Sequence, residues 1–114
     1  TMLALALSEG IILMKKANVD PKIFLEILNS TYFKTGMSEK KAFKMVDSKY
    51  DATFTLSNLK KDISTITSAA ESLGIELPMI KKAEQVYENA VKEGFGEIDY
   101  TGIIEYIKKI NNLK

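Results

Sequence analysis

The stretch TLSNLKKDISTITSAAESLG, residues 55–74, decides the fold class because its apolar residues recur at helical spacing. They follow one another at intervals of three and four residues, which places one apolar stripe of a long α-helix against a core. Thr55 is a suitable N-cap, and Gly74 favours the left-handed backbone that ends many helices. The predicted helix therefore runs to Leu73. Its apolar seam consists of Leu56, Leu59, Ile63, Ile66, Ala70 and Leu73.

The other two sides of this helix, the fourth predicted along the chain, differ in character. One is a charged flank typical of a solvent face: Lys60, Ser64, Thr67 and Glu71. The other is small and polar, with Phe54 just before it: Asn58, Lys61, Thr65, Ser68 and Ser72. Small residues let another surface approach closely, and the single ammonium of Lys61 can meet an anion or a ribose hydroxyl. A solvated face explains the same pattern, so the residues alone leave both interpretations open.

The rest of the chain repeats the helical spacing, and no segment alternates as a strand would. Asp20 followed by Pro21 is a strong helix start, Pro78 opens another helix, and Asp99 caps the last one. The sequence therefore predicts an all-α bundle of six helices. Their expected ranges are 2–17, 21–28, 38–46, 56–73, 78–93 and 100–110. The expected apolar face of the second helix is Ile23, Phe24, Ile27 and Leu28.

Composition narrows the function classes. A chain of 114 residues with 46% hydrophobic and 27% charged residues fits one globular domain. The net charge of +1 argues against a nucleic-acid or membrane-surface module. The absence of cysteine excludes disulfides and thiolate metal sites and makes the cytosol the default compartment. The absence of histidine removes the commonest metal ligand and the usual general base, so no metal site is predicted.

The first predicted helix is apolar nearly all the way round from Met2 to Leu7, and it starts without an N-cap. It is too short to span a membrane and lacks the basic residues of a signal peptide. A helix of this kind is expected to be buried, either between this domain and another domain or subunit, or as a central core helix. Both interpretations predict a buried first helix.

The order and spacing of several motifs resemble a known family. Phe54 is followed on the fourth helix by the triplet Lys61-Asp62-Ile63, and residues 70–78 read AESLGIELP. Further matches are Leu7-Ser8-Glu9-Gly10, Asp20-Pro21, Leu28-Asn29, Tyr87, Gly94, Gly96 and Asp99-Tyr100. Together these features make the chain similar to the C-terminal domain of β-hydroxyacid dehydrogenases, the 3-hydroxyisobutyrate dehydrogenase family.

The resemblance implies one half of a two-domain enzyme. An upstream Rossmann domain would bind NAD or NADP. Residues 1–114 would form one helical domain of the 6-phosphogluconate-dehydrogenase C-terminal-domain type, which closes the substrate cleft and forms the subunit interface. The family's catalytic lysine would precede Thr1, so no catalytic residue is expected in this chain. By itself the chain is expected to be inactive.

Three positions match family site residues. The resemblance implies that Lys61 binds the cofactor near its nicotinamide end, that Phe54 lines the substrate end of the cleft, and that Asp62 lies in the active site or supports it. The implied enzyme is a cytoplasmic homo-dimer or homo-tetramer that interconverts a small 3-hydroxy acid and its semialdehyde, with no nucleic-acid or membrane partner. The alternative is a stand-alone helical module for dimerisation or peptide binding through the first helix.

Overall fold

Seven α-helices follow one another in the computed structural model, which describes residues 2–50 and 53–113. They are α1 (Met2–Lys16), α2 (Pro21–Leu28), α3 (Gly36–Lys40), α4 (Ala42–Val46), α5 (Leu56–Leu73), α6 (Pro78–Ala90) and α7 (Ile103–Ile110). A π-helical turn, Val91–Phe95, continues α6, and a 3-10 turn, Tyr100–Gly102, leads into α7. Within the described residues the only β pairing is a single bridge between Thr55 and Asp99. The all-α class is confirmed.

The helix boundaries follow the capping residues that the sequence predicts. The side chain of Asp20 accepts a hydrogen bond from the Lys22 amide, with Pro21 at the first helical position. Thr55 caps α5 by accepting from the amide of Asn58 at 3.2 Å. Gly74 ends the same helix at φ 68°, in the left-handed region that glycine adopts without strain.

The third predicted helix is two short helices. It starts at Gly36 rather than at residue 38, because Thr35 and Ser38 form a reciprocal capping box. Lys41 separates α3 from α4, with φ −96° and ψ −31°. Its amide still donates to Met37, and its carbonyl accepts from Met45, so the two pieces remain nearly continuous.

The first helix lies at the centre and contributes to both hydrophobic cores. Ala4 and Leu5 pack in a cluster with buried residues of α5, α6 and α7: Leu56, Ile63, Ala83, Tyr87, Ala90 and Ile103. Leu7, Ile11 and Ile12 pack in a second cluster with Leu25, Ala42, Met45, Ile104 and Ile107. The helix is not covered everywhere, since Leu3 is 36% and Leu13 is 62% exposed. The expected lack of an N-cap concerns Thr1, which lies outside the described residues.

The apolar face predicted for α2 is wrong in part. Leu25 is fully buried, whereas Ile23 and Ile27 are 52% and 62% exposed. This eight-residue helix has more apolar residues than its neighbours cover, so its pattern alone does not identify the buried side. The spacing of apolar residues therefore predicted the helix correctly but predicted its buried side only in part.

The predicted seam of α5 is buried only where other elements cover it. Leu56, Ile63 and Ala70 are buried, but Ile66 is 44% and Leu73 is 74% exposed. The main packing partner of α5 is α6, and one helix covers only one side of the distal half of α5. None of the described helices is both long and apolar enough to cross a membrane.

A charged network joins the segment after α4 to α7. The hydroxyls of Tyr50 and Ser48 donate to Glu105, and the Lys108 ammonium lies 3.2 Å from the same carboxylate oxygen. Burial by itself raises the pKa of Glu105, but the hydrogen bonds from Tyr50 and Lys108 outweigh it and hold that pKa below its ordinary value. The carboxylate is therefore stabilised in its charged form.

Candidate functional site

The first turn of α5 is held by residues 96–101, which we call the strap. The amide of Leu56 donates to the carbonyl of Ile98 at 2.8 Å, and the amide of Ser57 donates to the carbonyl of Gly96 at 2.9 Å. The first amides of an α-helix have no acceptor within the helix, so these two bonds satisfy groups that would otherwise need water. The strap thereby fixes where α5 begins and how its first turn is oriented.

Phe54, immediately before the cap of α5, is held by three contacts with the strap. Its amide donates to Asp99 Oδ1 at 3.2 Å, and its carbonyl accepts from the amide of Tyr100 at 2.8 Å. Its ring meets the Tyr100 ring edge to face, with 6.4 Å between the centroids. The side chain is still 37% exposed, so Phe54 is a fixed aromatic surface that a ligand can reach.

Asp99 is the buried acid beneath this aromatic pair, at 1% exposure. Burial alone raises the pKa of Asp99. Hydrogen bonds from Thr101 and from the Phe54 amide, together with the charge of Lys41, outweigh that effect and lower the pKa below its ordinary value. Asp99 is therefore a charged acceptor at neutral pH.

Lys41 completes the cluster from the junction of α3 and α4. Its ammonium donates to the Thr53 hydroxyl at 3.2 Å and lies 3.8 Å from Asp99 Oδ2. It also lies 4.5 Å from the centroid of the Tyr100 ring, a cation–π contact. Three parts of the chain that are far apart in sequence thus meet around Phe54.

The small polar face of α5 is exposed along its whole length: Asn58, Lys61, Thr65, Ser68 and Ser72. The hydroxyl of Thr65 donates back to the Lys61 carbonyl at 3.1 Å, which turns its polar group toward the helix backbone. Among residues 2–50 and 53–113, no carboxylate pairs with the Lys61 ammonium. Lys61 is therefore a cation open to an external anion or hydroxyl.

Asp62 follows Lys61 and is also exposed. Its carboxylate has no ion-pair or hydrogen-bond partner within the described part of the chain. A helix turns about 100° per residue, so Asp62 points to a different side from Lys61. The structure places Phe54, Lys61 and Asp62 at or near the N-terminal half of one helix, and it brings only Phe54 into contact with the strap.

Comparison with known proteins assigns the chain to a family. Residues 1–107 match the family model described as "NAD-binding of NADP-dependent 3-hydroxyisobutyrate dehydrogenase". The chain belongs to this family. The resemblance inferred from the motifs is confirmed, and so is the association with a nicotinamide cofactor.

Two relatives of this chain carry reductase or oxidoreductase names. The chain is 29% identical over 101 residues to glyoxylate/succinic semialdehyde reductase 2, chloroplastic, of Arabidopsis thaliana, covering 89% of this chain and 28% of that protein. It is 32% identical over 104 residues to the protein named "uncharacterized oxidoreductase YfjR" of Bacillus subtilis (strain 168), covering 90% of this chain and 36% of that protein. The chain thus spans about a third of their length.

The fold is shared with a solved enzyme structure of the same family. The crystal structure of 3-hydroxyisobutyrate dehydrogenase from Salmonella typhimurium superposes with a TM-score of 0.83 at 20% identity. The match covers 90% of this chain and 36% of the other. The all-helical architecture is therefore that of one part of a β-hydroxyacid dehydrogenase.

Sequence reasoning missed most of the cluster around Phe54. Asp99 was expected to cap the last helix, and its side chain does accept from the Thr101 amide. Its second task, 45 residues away at Phe54, leaves no trace in local periodicity. Lys41 and Thr53 carried no signal at all. The family matches at Gly96 and at Asp99-Tyr100 were the clues to the strap.

Proposed function

We propose that the intact protein is an NAD(P)-dependent oxidoreductase that interconverts a small 3-hydroxy acid and its semialdehyde. Family membership, the semialdehyde reductase name of one relative and the oxidoreductase name of the other support this activity. We further propose that this chain is the helical C-terminal domain, and that a Rossmann domain upstream binds most of the cofactor. The support is length, because the chain spans about a third of the relatives that it matches.

The observation that carries the proposal is the open Lys61 ammonium on a face of small residues. A nicotinamide cofactor has phosphates and ribose hydroxyls, which a lysine ammonium recognises. The neighbours of Lys61 on this face are small or short, so a cofactor bound by another domain can approach α5 closely. The bound cofactor supplies the hydride, and Lys61 holds and orients the cofactor.

Phe54 and Asp62 have supporting roles in this proposal. Phe54, fixed by the strap and 37% exposed, lines the substrate end of the cleft and excludes water from the reacting carbonyl. Asp62 is exposed and faces away from the core, where it can orient a neighbouring group of the assembled enzyme. Neither is assigned a proton-transfer step, and we place the catalytic lysine outside this chain.

The test is a kinetic comparison in the intact protein of Lys61→Ala with Lys60→Ala. The adjacent Lys60 lies on the other flank of α5 and is the matched control for loss of one positive charge. Oxidation of NADH and NADPH is followed with glyoxylate, succinic semialdehyde and related semialdehydes. Loss of a charge-assisted contact should raise the KM for the cofactor about tenfold or more in Lys61→Ala. Lys60→Ala should resemble the parent protein.

Two outcomes would contradict the proposal. If the parent protein oxidises neither cofactor with any of these aldehydes, the dehydrogenase assignment fails and a helical interaction module becomes the better explanation. If the parent is active and the two lysine variants are equally impaired, Lys61 has no specific role in binding the cofactor. In this proposal the catalytic lysine belongs to the Rossmann half, so the isolated chain is expected to show no turnover in the same assay.

A further inference from the structure

The two carboxylate oxygens of Asp99 serve different parts of the chain. Oδ2 accepts from the Thr101 amide at 3.2 Å and from the Thr101 hydroxyl at 2.5 Å, which caps the start of the final helical segment. Oδ1 accepts from the Thr53 amide at 3.2 Å, the Thr53 hydroxyl at 3.1 Å and the Phe54 amide at 3.2 Å. A helix cap needs only the first set of bonds, so Oδ1 has a separate task.

That task falls on the segment that carries Phe54. Residues 53 and 54 precede α5 and have no helical partners for their amides, so Asp99 is their acceptor inside the protein. Without Asp99 these two amides would lose the acceptor that the folded protein provides. Two amides and a hydroxyl depend on one oxygen of Asp99, and this arrangement holds the backbone of Phe54 in one position.

We propose that Asp99 is a positioning residue that sets the placement of Phe54 at the substrate end of the cleft. This inference rests on the proposed function, since it assigns Phe54 a substrate. Tyr100 contributes in two ways: its ring packs against the Phe54 ring, and its amide donates a hydrogen bond to the Phe54 carbonyl. Lys41 contacts both the Asp99 carboxylate and the Tyr100 ring. Asp99 touches neither substrate nor cofactor in this arrangement, and acts through Phe54.

The expected kinetic signature is confined to the substrate. Asp99→Ala should lower kcat/KM for the aldehyde by about 10–10²-fold, because a misplacement of about 1 Å can cost up to about 10²-fold. The KM for NAD(P)H should stay close to that of the parent. Lys61 lies seven residues after Phe54, which is about 10 Å along the helix axis at 1.5 Å per residue. Asp99→Asn keeps one acceptor oxygen for the amides before α5 and should recover part of the loss.

A double-mutant cycle in the intact protein separates positioning from general stability. Phe54→Ala, Asp99→Ala and the double variant are compared by kcat/KM for the aldehyde and by the urea midpoint. If Asp99 acts through Phe54, adding Asp99→Ala to Phe54→Ala causes little further loss of kcat/KM although stability still falls. Glu105→Ala, which removes a carboxylate network away from α5, is the control and should lower stability without this kinetic effect.

Additive losses in kcat/KM, or unchanged kinetics in Asp99→Ala, would overturn the inference while leaving the dehydrogenase assignment intact. Hydrogen exchange of residues 53–57 is measured on the same proteins. If the parent protein has no reductase activity, the proposed function fails and this measurement decides the structural part. Faster exchange at the amides of Thr53 and Phe54 in Asp99→Ala then supports the hold of Asp99 on Phe54, and unchanged exchange refutes it. If Asp99→Ala does not fold, Asp99→Asn serves in every comparison.

Discussion

At the residue scale, buried polar side chains in this domain differ in whether their polar atoms have hydrogen-bond partners. Asp99 is almost fully buried and uses both oxygens in hydrogen bonds, which offset the cost of removing its charge from water. Tyr87 is fully buried at the centre of the first core, and its hydroxyl has no hydrogen-bond partner among the described residues. Burial, followed by the proximity of Tyr100, raises the pKa of Tyr87, so the phenol stays neutral.

Replacing Tyr87 by phenylalanine should therefore stabilise the chain. The substitution keeps the ring that fills the core and removes a buried hydroxyl, so the free energy of unfolding should rise by about 1 kcal/mol. Urea unfolding followed by circular dichroism measures the change. Tyr106→Phe is the control, since Tyr106 is only partly buried and should change little. A clear loss of stability in Tyr87→Phe would mean that the hydroxyl has a partner in solution.

At the scale of secondary-structure elements, two carboxylates make contacts between separate elements. Asp99 joins the strap to the start of α5, and Glu105 on α7 joins the segment after α4 through Tyr50, Ser48 and Lys108. Each has a pKa held below its ordinary value in the folded protein, chiefly by hydrogen bonds that oppose the effect of burial. Both of these connections therefore depend on carboxylates in their ionised form.

Stability should fall on the acid side. A carboxylate whose pKa is lowered by folding contributes fully above its unfolded value and loses that contribution as the pH drops through its folded value. The ordinary values are 3.8 for Asp99 and 4.5 for Glu105, so unfolding free energy should begin to fall below about pH 5. Urea titrations from pH 7 to 3 measure the slope. Glu105→Gln should be less stable at pH 7 and less sensitive to acid; an equally steep slope would rule out this role for Glu105.

The surface of the whole molecule retains apolar residues on its first helix. Leu13 is 62% exposed beside Ile110 of α7 at 57%, and Leu3 is 36% exposed near Met79 of α6 at 66%. Exposed apolar clusters of this kind usually mark contacts with another domain or subunit. We propose that this side of α1 contributes to a homo-dimer or homo-tetramer of the intact protein.

Replacing Leu13 by lysine should weaken that assembly. The added charge would have to be desolvated at the interface, so the mass measured by light scattering should fall toward that of the monomer. Leu73→Lys is the matched control, because Leu73 is similarly exposed at 74% but lies at the far end of α5. The same mass for the Leu13→Lys variant and the parent would show that α1 does not form the subunit contact.

The sequence by itself determined most of the helices of this protein, although the predicted helix over 38–46 is two short ones. Apolar spacing and local caps such as Asp20, Thr55 and Gly74 act within a few residues, so they can be read before any tertiary contact is known. The family motifs also identified the family. The exposed face around Lys61 was visible on α5 from spacing alone, and the structure leaves it open.

Only the tertiary structure decided which apolar residues are covered and what holds Phe54. Ile66 and Leu73 continue the seam of α5 but remain 44% and 74% exposed, and spacing does not report how far the next helix reaches. The hydrogen bonds that the amides of Thr53 and Phe54 donate to Asp99 join residues 46 and 45 positions apart. Helix formation depends on neighbours in sequence, whereas burial and positioning depend on contacts that exist only after the chain has folded.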